Sequence, residues 1–215
     1  MDVAIAGGHG KIGLQLGALL AARGDRVRGL IRKPEQEGDL RAVGVEPVLC
    51  DLESDAGAEV AAAVRGADAV VFAAGAGPGS GAERKRTMDL DGAVKLIEAA
   101  QAEGVGRYAM VSSMGAGDPP AEGGGVFGEY LRAKAGADRA LVASGLAQTI
   151  VRPGSLTDEA ATGRVRIGES LGRGEVPRAD VAAVLAAVLA APNAVGKTFE
   201  LLSGETPVEE AVAAL

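Results

Sequence analysis

Four small apolar residues, Val3–Ala6, followed by glycines at Gly7, Gly10 and Gly13, set the strongest limit on what this chain can fold into. The apolar run suits a short buried strand, and the glycines let the backbone turn sharply into a helix. A Cβ would obstruct the backbone angles of such a turn, and main-chain N–H groups admit a diphosphate only where no side chain stands in front of them. The helix beginning near Lys11 and Ile12 aims its unpaired N–H groups and positive dipole end at the same point, so the turn is expected to hold an anion. His9, inside the loop, either donates to that anion or faces solvent.

Gly8, Gly10 and Gly13 also satisfy the general pattern G-x-G-x-x-G, a weak signal by itself in a chain with 33 glycines. Its setting strengthens it. The glycines follow a strand pattern, open an amphipathic helix (Ile12, Leu16, Leu19, Leu20) and precede a second strand, Arg26 to Ile31, which completes a βαβ unit. The rival phosphate motif G-x-x-x-x-G-K-[ST] is excluded, because Ile5 stands at its first glycine and Ile12 at its hydroxyl residue.

Strand-like runs recur at Val3–Ala6, Val27–Ile31, Glu46–Leu49, Ala69–Ala73, Tyr108–Ser112, Thr149–Val151 and Thr198–Leu202. Helical patterns separate them near Ile12–Ala22, Pro34–Val43, Ala56–Val64, Ala82–Ala102, Phe127–Ala143, Ala179–Leu189 and Val208–Leu215. That alternation predicts an α/β fold, a doubly wound parallel sheet covered on both faces. A length of 215 residues fits one domain over the whole chain with a small C-terminal lobe for substrate. Three segments are expected to be irregular loops: Gly75–Gly81, Gly115–Gly125 and Thr157–Pro177. Each follows the C-terminal end of a strand, the edge where open α/β sheets bind ligands.

The second strand ends in Arg32-Lys33, at the distance past the glycines where NAD-specific folds place an acid for the ribose 2′-hydroxyl. Basic groups there pair with a 2′-phosphate, so NADP(H) is the expected cofactor. Asp51 and Leu52 either bracket the adenine or, for Asp51, cap a helix. Ala73, Ala74 and Gly75 end the fourth strand and offer backbone to the nucleotide. Tyr130 and Lys134 lie one turn apart on a helix face, and the ammonium favours phenolate, fitting the phenol for proton transfer. Ser112 and Ser113 end the preceding strand; only one can face the cofactor, and Ser113 is assigned to the substrate oxygen by position.

These motifs, with Arg152-Pro153-Gly154, resemble in order and over nearly the whole chain the atypical short-chain dehydrogenase/reductases. V-S-S-M-G-A and R-A-D-V-A (Arg178 to Ala182) narrow the resemblance to the NAD(P)H-binding, NmrA-like group. The resemblance implies a Rossmann fold with NADP(H) across the sheet edge, Lys134 on the nicotinamide ribose, and Pro153 and Gly154 beside the nicotinamide. In catalytic members the matching Tyr is general acid/base and the matching Ser polarises a carbonyl. Two departures stand out: Asp89 where many members carry Asn, and Met114 where extended members often carry a catalytic hydroxyl. The expected activity is hydride transfer from NADPH to a small carbonyl or quinone-like acceptor; the alternative is a non-catalytic NADP(H) sensor or interaction module.

A formal charge of −7 means that an anionic ligand must be held by a local cluster of cations. Only 2% aromatic residues argues against a nucleic-acid surface. One histidine and one cysteine cannot make a His/Cys metal site, and Cys50 reads as a small buried apolar group. With no apolar run of membrane-spanning length and no leader pattern, the expectation is a cytoplasmic monomer or homodimer acting on a small molecule, without membrane or nucleic-acid partners.

Overall fold

The computed structural model describes residues 1–77 and 79–215; Pro78, within the Gly75–Gly81 stretch, lies outside the described residues. The strands are β1 (Asp2–Ala6), β2 (Arg26–Ile31), β3 (Glu46–Leu49), β4 (Ala69–Phe72), β5 (Arg107–Val111), β6 (Gln148–Pro153), β7 (Ser155–Thr157), β8 (Arg164–Gly168), β9 (Glu175–Pro177), β10 (Lys197–Ser203) and β11 (Thr206–Pro207). The helices are α1 (Lys11–Ala22), α2 (Glu37–Ala42), α3 (Gly57–Val64), α4 (Ala82–Arg86), α5 (Ala93–Ala102), α6 (Gly125–Ala143), α7 (Arg178–Ala190) and α8 (Val208–Ala213). The main sheet runs β11-β8-β10-β6-β5-β4-β1-β2-β3 and is parallel from β10 to β3. The chain winds outward from β1 to β3, then crosses back to β4 and winds the other way. The crevice between the ends of β1 and β4 is therefore the place where a Rossmann-like fold binds its ligand.

Strand alternation divides the core between the two faces. Val3 and Ile5 pack with Leu16 and Leu20 of α1 and Val181 and Leu185 of α7. Ala4 and Ala6 look the other way, toward Val60 and Val64 of α3, Leu96 of α5 and Leu141 of α6. Burial on both faces explains why the central strands read as unbroken apolar runs.

Two expectations need correction. The pattern over Ala82–Ala102 predicts one helix, but α4 and α5 are joined by a π-helical segment, Thr87–Gly92, that widens the turn around Asp89. The pattern over Thr157–Pro177 predicts irregular chain, yet it contains β8, antiparallel to β10 and β11, and β9, which pairs with β7 in a small second sheet. β8 alternates exposed Arg164 and Arg166 around fully buried Val165. So few apolar residues sit in it that the alternation is lost among charges. No helix among the described residues is long and apolar enough to cross a membrane.

Candidate nucleotide site

The glycine turn is as tight as its composition demands. Gly7 has φ +81°, and a Cβ on it would lie 2.7 Å from the Ala74 Cα. A Cβ on Gly13 would lie 2.2 Å from the Gly7 carbonyl oxygen, so the first turn of α1 rests directly on the loop backbone. The Gly10 N–H donates to Gly7 O at 2.8 Å, and the Gly8 N–H donates to Leu30 O at 3.0 Å. α1 begins with no side-chain cap, and its first N–H with a backbone acceptor is that of Leu14, bonded to Gly10. The preceding N–H groups form a ready set of donors for an anion.

Around the turn lies a cleft of about 620 Å³. Gly7, His9, Gly10, Lys11 and Ile12 line it from the loop, Arg32 from the end of β2, and Asp51 and Leu52 from beyond β3. Ala73, Ala74 and Gly75 line it from the end of β4, and Ser112, Tyr130 and Lys134 complete the set expected from the sequence. Five expected residues lie outside the lining. Gly13 packs beneath Gly7, and Lys33 is exposed before a 3-10 turn. Ser113 donates its hydroxyl to the Met114 carbonyl at 3.1 Å. The Pro153 carbonyl accepts the Met114 N–H, and Gly154 lies where a Cβ would meet Leu202 at 2.4 Å. Of the two serines expected here, Ser112 lines the cleft and Ser113 does not: β5 ends at Val111, and strand alternation stops there.

Lys11, Arg32, Arg84, Lys85, Lys134 and Arg178 line the cleft against the carboxylates of Asp51 and Asp89. A chain of net charge −7 thus concentrates positive charge at one place, as an anionic ligand requires. Arg84 and Lys85 come from α4, whose whole sequence is A-E-R-K-R, a charge run visible in the sequence, and Arg178 from R-A-D-V-A. Gln36 and Leu156 also line the cleft, and no sequence signal marks them. His9 lies between α2 and the 3-10 turn before it, with Nε2 2.7 Å from Asp39 and Nδ1 3.1 Å from the Gln36 amide. Asp51 caps a turn, accepting the Glu53 N–H at 3.0 Å, while Glu59 reaches back to the Ala56 N–H at the start of α3. Asp158 bonds both Lys11 and Arg178 across the cleft mouth. The loop that carries Asp158 is pinned by buried Asp180, which accepts the N–H groups of Thr162 and Gly163 at 3.0 and 2.9 Å. Burial pushes the Cys50 thiol up to about 11, so it stays protonated and inert at neutral pH.

Lys134 is 3% exposed. Its ammonium donates to the Val111 carbonyl at 3.1 Å and stands 3.2 Å from Asp89 Oδ1 and 5.9 Å from the centre of the Tyr130 ring. Asp89 is fully buried in the π-helical segment, its Oδ2 accepting the Ala76 N–H at 3.2 Å. The widened turn brings this carboxylate to the floor of the cleft, a common use of π-helical geometry. Tyr130 also has the Lys85 ammonium 5.3 Å from its ring centre and stacks at a tilt on exposed Phe127. The Ser112 hydroxyl is buried and has no hydrogen-bond partner within ordinary bonding geometry among the described residues. Behind it, burial raises the Asp138 carboxyl above the usual range, opposed by the nearby Ser112 hydroxyl and by the Arg152 guanidinium, which donates to it at 2.9 Å.

The donors, the glycine cradle that a Cβ would fill and the cationic walls fit a dinucleotide. A family model described as NAD(P)H-binding matches residues 7–192. The chain belongs to this NAD(P)H-binding family. A relative from Bacillus subtilis, described as the uncharacterized sugar epimerase YhfK, is 41% identical over 213 residues, covering 99% of each chain. Among solved structures, a putative NAD-dependent epimerase/dehydratase from Bacillus halodurans superposes with a TM-score of 0.93 at 38% identity, covering 100% of both chains. ChuY, an anaerobillin reductase from Escherichia coli O157:H7, superposes with a TM-score of 0.80 at 29% identity over 94% of this chain and 97% of that one. The family is of the atypical short-chain dehydrogenase/reductase type, as the ordered motifs lead one to expect.

Proposed function

We propose that the protein is an NADP(H)-dependent reductase acting on a small carbonyl or quinone-like acceptor. The observation that carries this reading is the convergence of Tyr130, Lys134 and Ser112 with the glycine turn in one cleft. Bound dinucleotide supplies the hydride. The chain's own part is to hold the diphosphate on the N–H groups of the turn, to receive a 2′-phosphate at Arg32, and to orient the acceptor. The Ser112 hydroxyl, turned from its buried place beside Asp138 toward the cleft, donates to the acceptor oxygen, and the Tyr130 O–H gives it a proton as the C–H bond forms. Lys134, fixed by Val111 and Asp89, holds the positive charge beside that phenol. A reductase also accords with the ChuY neighbour, whose described reaction is a reduction.

Tyr130→Phe is expected to lower kcat about 100-fold or more against a panel of carbonyls and quinones, the ordinary worth of a general acid. A variant as fast as the wild type removes the proton-donor role. Arg32→Ala is expected to weaken NADPH binding about tenfold, the loss of one charge-assisted contact, while leaving NADH binding unchanged. Equal losses for both nucleotides would overturn the 2′-phosphate assignment.

One observation favours a second reading, an NmrA-like redox sensor: Lys134 already has a counter-charge in Asp89. In that case the wild type turns over nothing in the panel, and its affinity for a partner differs between the NADP⁺-bound and NADPH-bound forms.

A further inference from the structure

The wall of the cleft carries two guanidiniums, Arg32 at the end of β2 and Arg84 in α4, and between them lies a carboxylate that the glycine-loop pattern does not anticipate. Glu53 Oε2 accepts both Nε of Arg84, at 3.1 Å, and its NH2 group, at 2.9 Å. Thr87 Oγ1 donates to Glu53 Oε1 at 2.7 Å. Arg84 is itself anchored by its remaining terminal nitrogen, which donates to the Ala76 carbonyl at 3.0 Å. Arg32 stands farther off, 3.9 Å from Glu53 Oε2, close enough to feel the charge and too far for a hydrogen bond. Burial acts in the opposite direction, yet Arg84 and Thr87 hold the Glu53 carboxyl below the ordinary carboxylate range, so it is ionised at neutral pH.

An acid at this place in the fold normally selects the unphosphorylated nucleotide, because it accepts from ribose hydroxyls and repels a 2′-phosphate. Here such an acid is present, but it arrives from the loop after β3, and both its oxygens accept hydrogen bonds from α4 and the π-helical segment. We propose that Arg84 is a positioning residue for cofactor selectivity: with Thr87 it draws the Glu53 carboxylate away from Arg32 and so keeps the Arg32 guanidinium available to a 2′-phosphate. This rests on the NADP(H) reading above. Without Arg84, Glu53 loses two N–H donors, and Arg32 is the cation it then closes on. A closed Glu53–Arg32 pair both neutralises the phosphate ligand and puts negative charge beside the incoming phosphate.

The test is a fluorescence titration of the full chain with NADPH and with NADH, which differ only at the 2′ position. It compares wild type, Arg84→Ala, Glu53→Gln and the double variant, with melting temperatures to check that each is folded. The wild type is expected to prefer NADPH, and Arg84→Ala to lose about five- to tenfold of that preference, an ion-pair-sized effect. The double variant is expected to regain the preference, and Glu53→Gln alone to tighten NADPH more than NADH. A double variant no better than Arg84→Ala overturns the proposal, since it assigns Arg84 a direct contact with the phosphate. An Arg84→Ala ratio equal to that of a wild type that prefers NADPH overturns it as well. A wild type with equal affinity for the two nucleotides overturns the NADP(H) reading itself, and a failure of that kind is separate from the other two.

Discussion

Replacing Lys134 with methionine is expected to destabilise the protein by about 3–5 kcal/mol, measured as a fall in the denaturant midpoint without nucleotide. The reason lies in what the substitution leaves behind. Asp89 is fully buried, its Oδ1 faces the Lys134 ammonium at 3.2 Å, and its Oδ2 accepts the Ala76 N–H at 3.2 Å. Removing the ammonium strands a carboxylate in a low-dielectric setting and leaves the Val111 carbonyl without its donor. The double variant Lys134→Met/Asp89→Leu removes both charges and is expected to recover most of the loss, because a buried pair replaced by apolar groups is often neutral. A single variant within about 1 kcal/mol of wild type would mean that the pair is solvated.

Gly13→Ala is expected to abolish nucleotide binding, with affinity down about 100-fold or more by titration and stability down by about 1–3 kcal/mol, the usual cost of overpacking. The added methyl would sit 2.2 Å from the Gly7 carbonyl oxygen and 3.1 Å from its carbon. Both are backbone atoms of the loop itself, so relief requires α1 to withdraw and to take its open N–H groups with it. Gly24→Ala is the control. Gly24 has φ +93° but, among the described residues, nothing within 4 Å of a Cβ, so that variant adds backbone strain and leaves affinity unchanged. Should the two variants lose nucleotide binding equally, the close contact is not what makes the turn a binding site.

What could be read from the residues was what local spacing encodes. Val3–Ala6 and the glycines, Tyr130 and Lys134 one turn apart, and the alternation of β1–β6 with helices all depend on neighbours within a few positions. The partners that complete the site come from far along the chain. Asp89 and Lys134 meet across 45 positions, Glu53 and Arg84 across 31, and Lys11 and Asp158 across 147. No periodicity links such pairs; only the packed sheet brings them together. Ser112 and Ser113 mark the boundary between the two kinds of information. Alternation says that one of them faces inward, but the end of β5 at Val111 decides which, and strand ends are set by tertiary contacts. β8 leaves little trace in the sequence because its register is fixed by β10 and β11, and its own exposed arginines leave almost no apolar signature.

The bridge from Lys11 through Asp158 to Arg178 bears on how salt should affect the molecule. Under the proposed function, a phosphate arriving at the mouth would meet two cations that already carry a counterion and would take them by exchange, sending Asp158 back to water. One anion replaces another, so the local charge changes less than the count of basic side chains implies. Ionic strength then acts on both sides of that exchange, and the affinity should fall off more gently with added salt than for a bare basic groove.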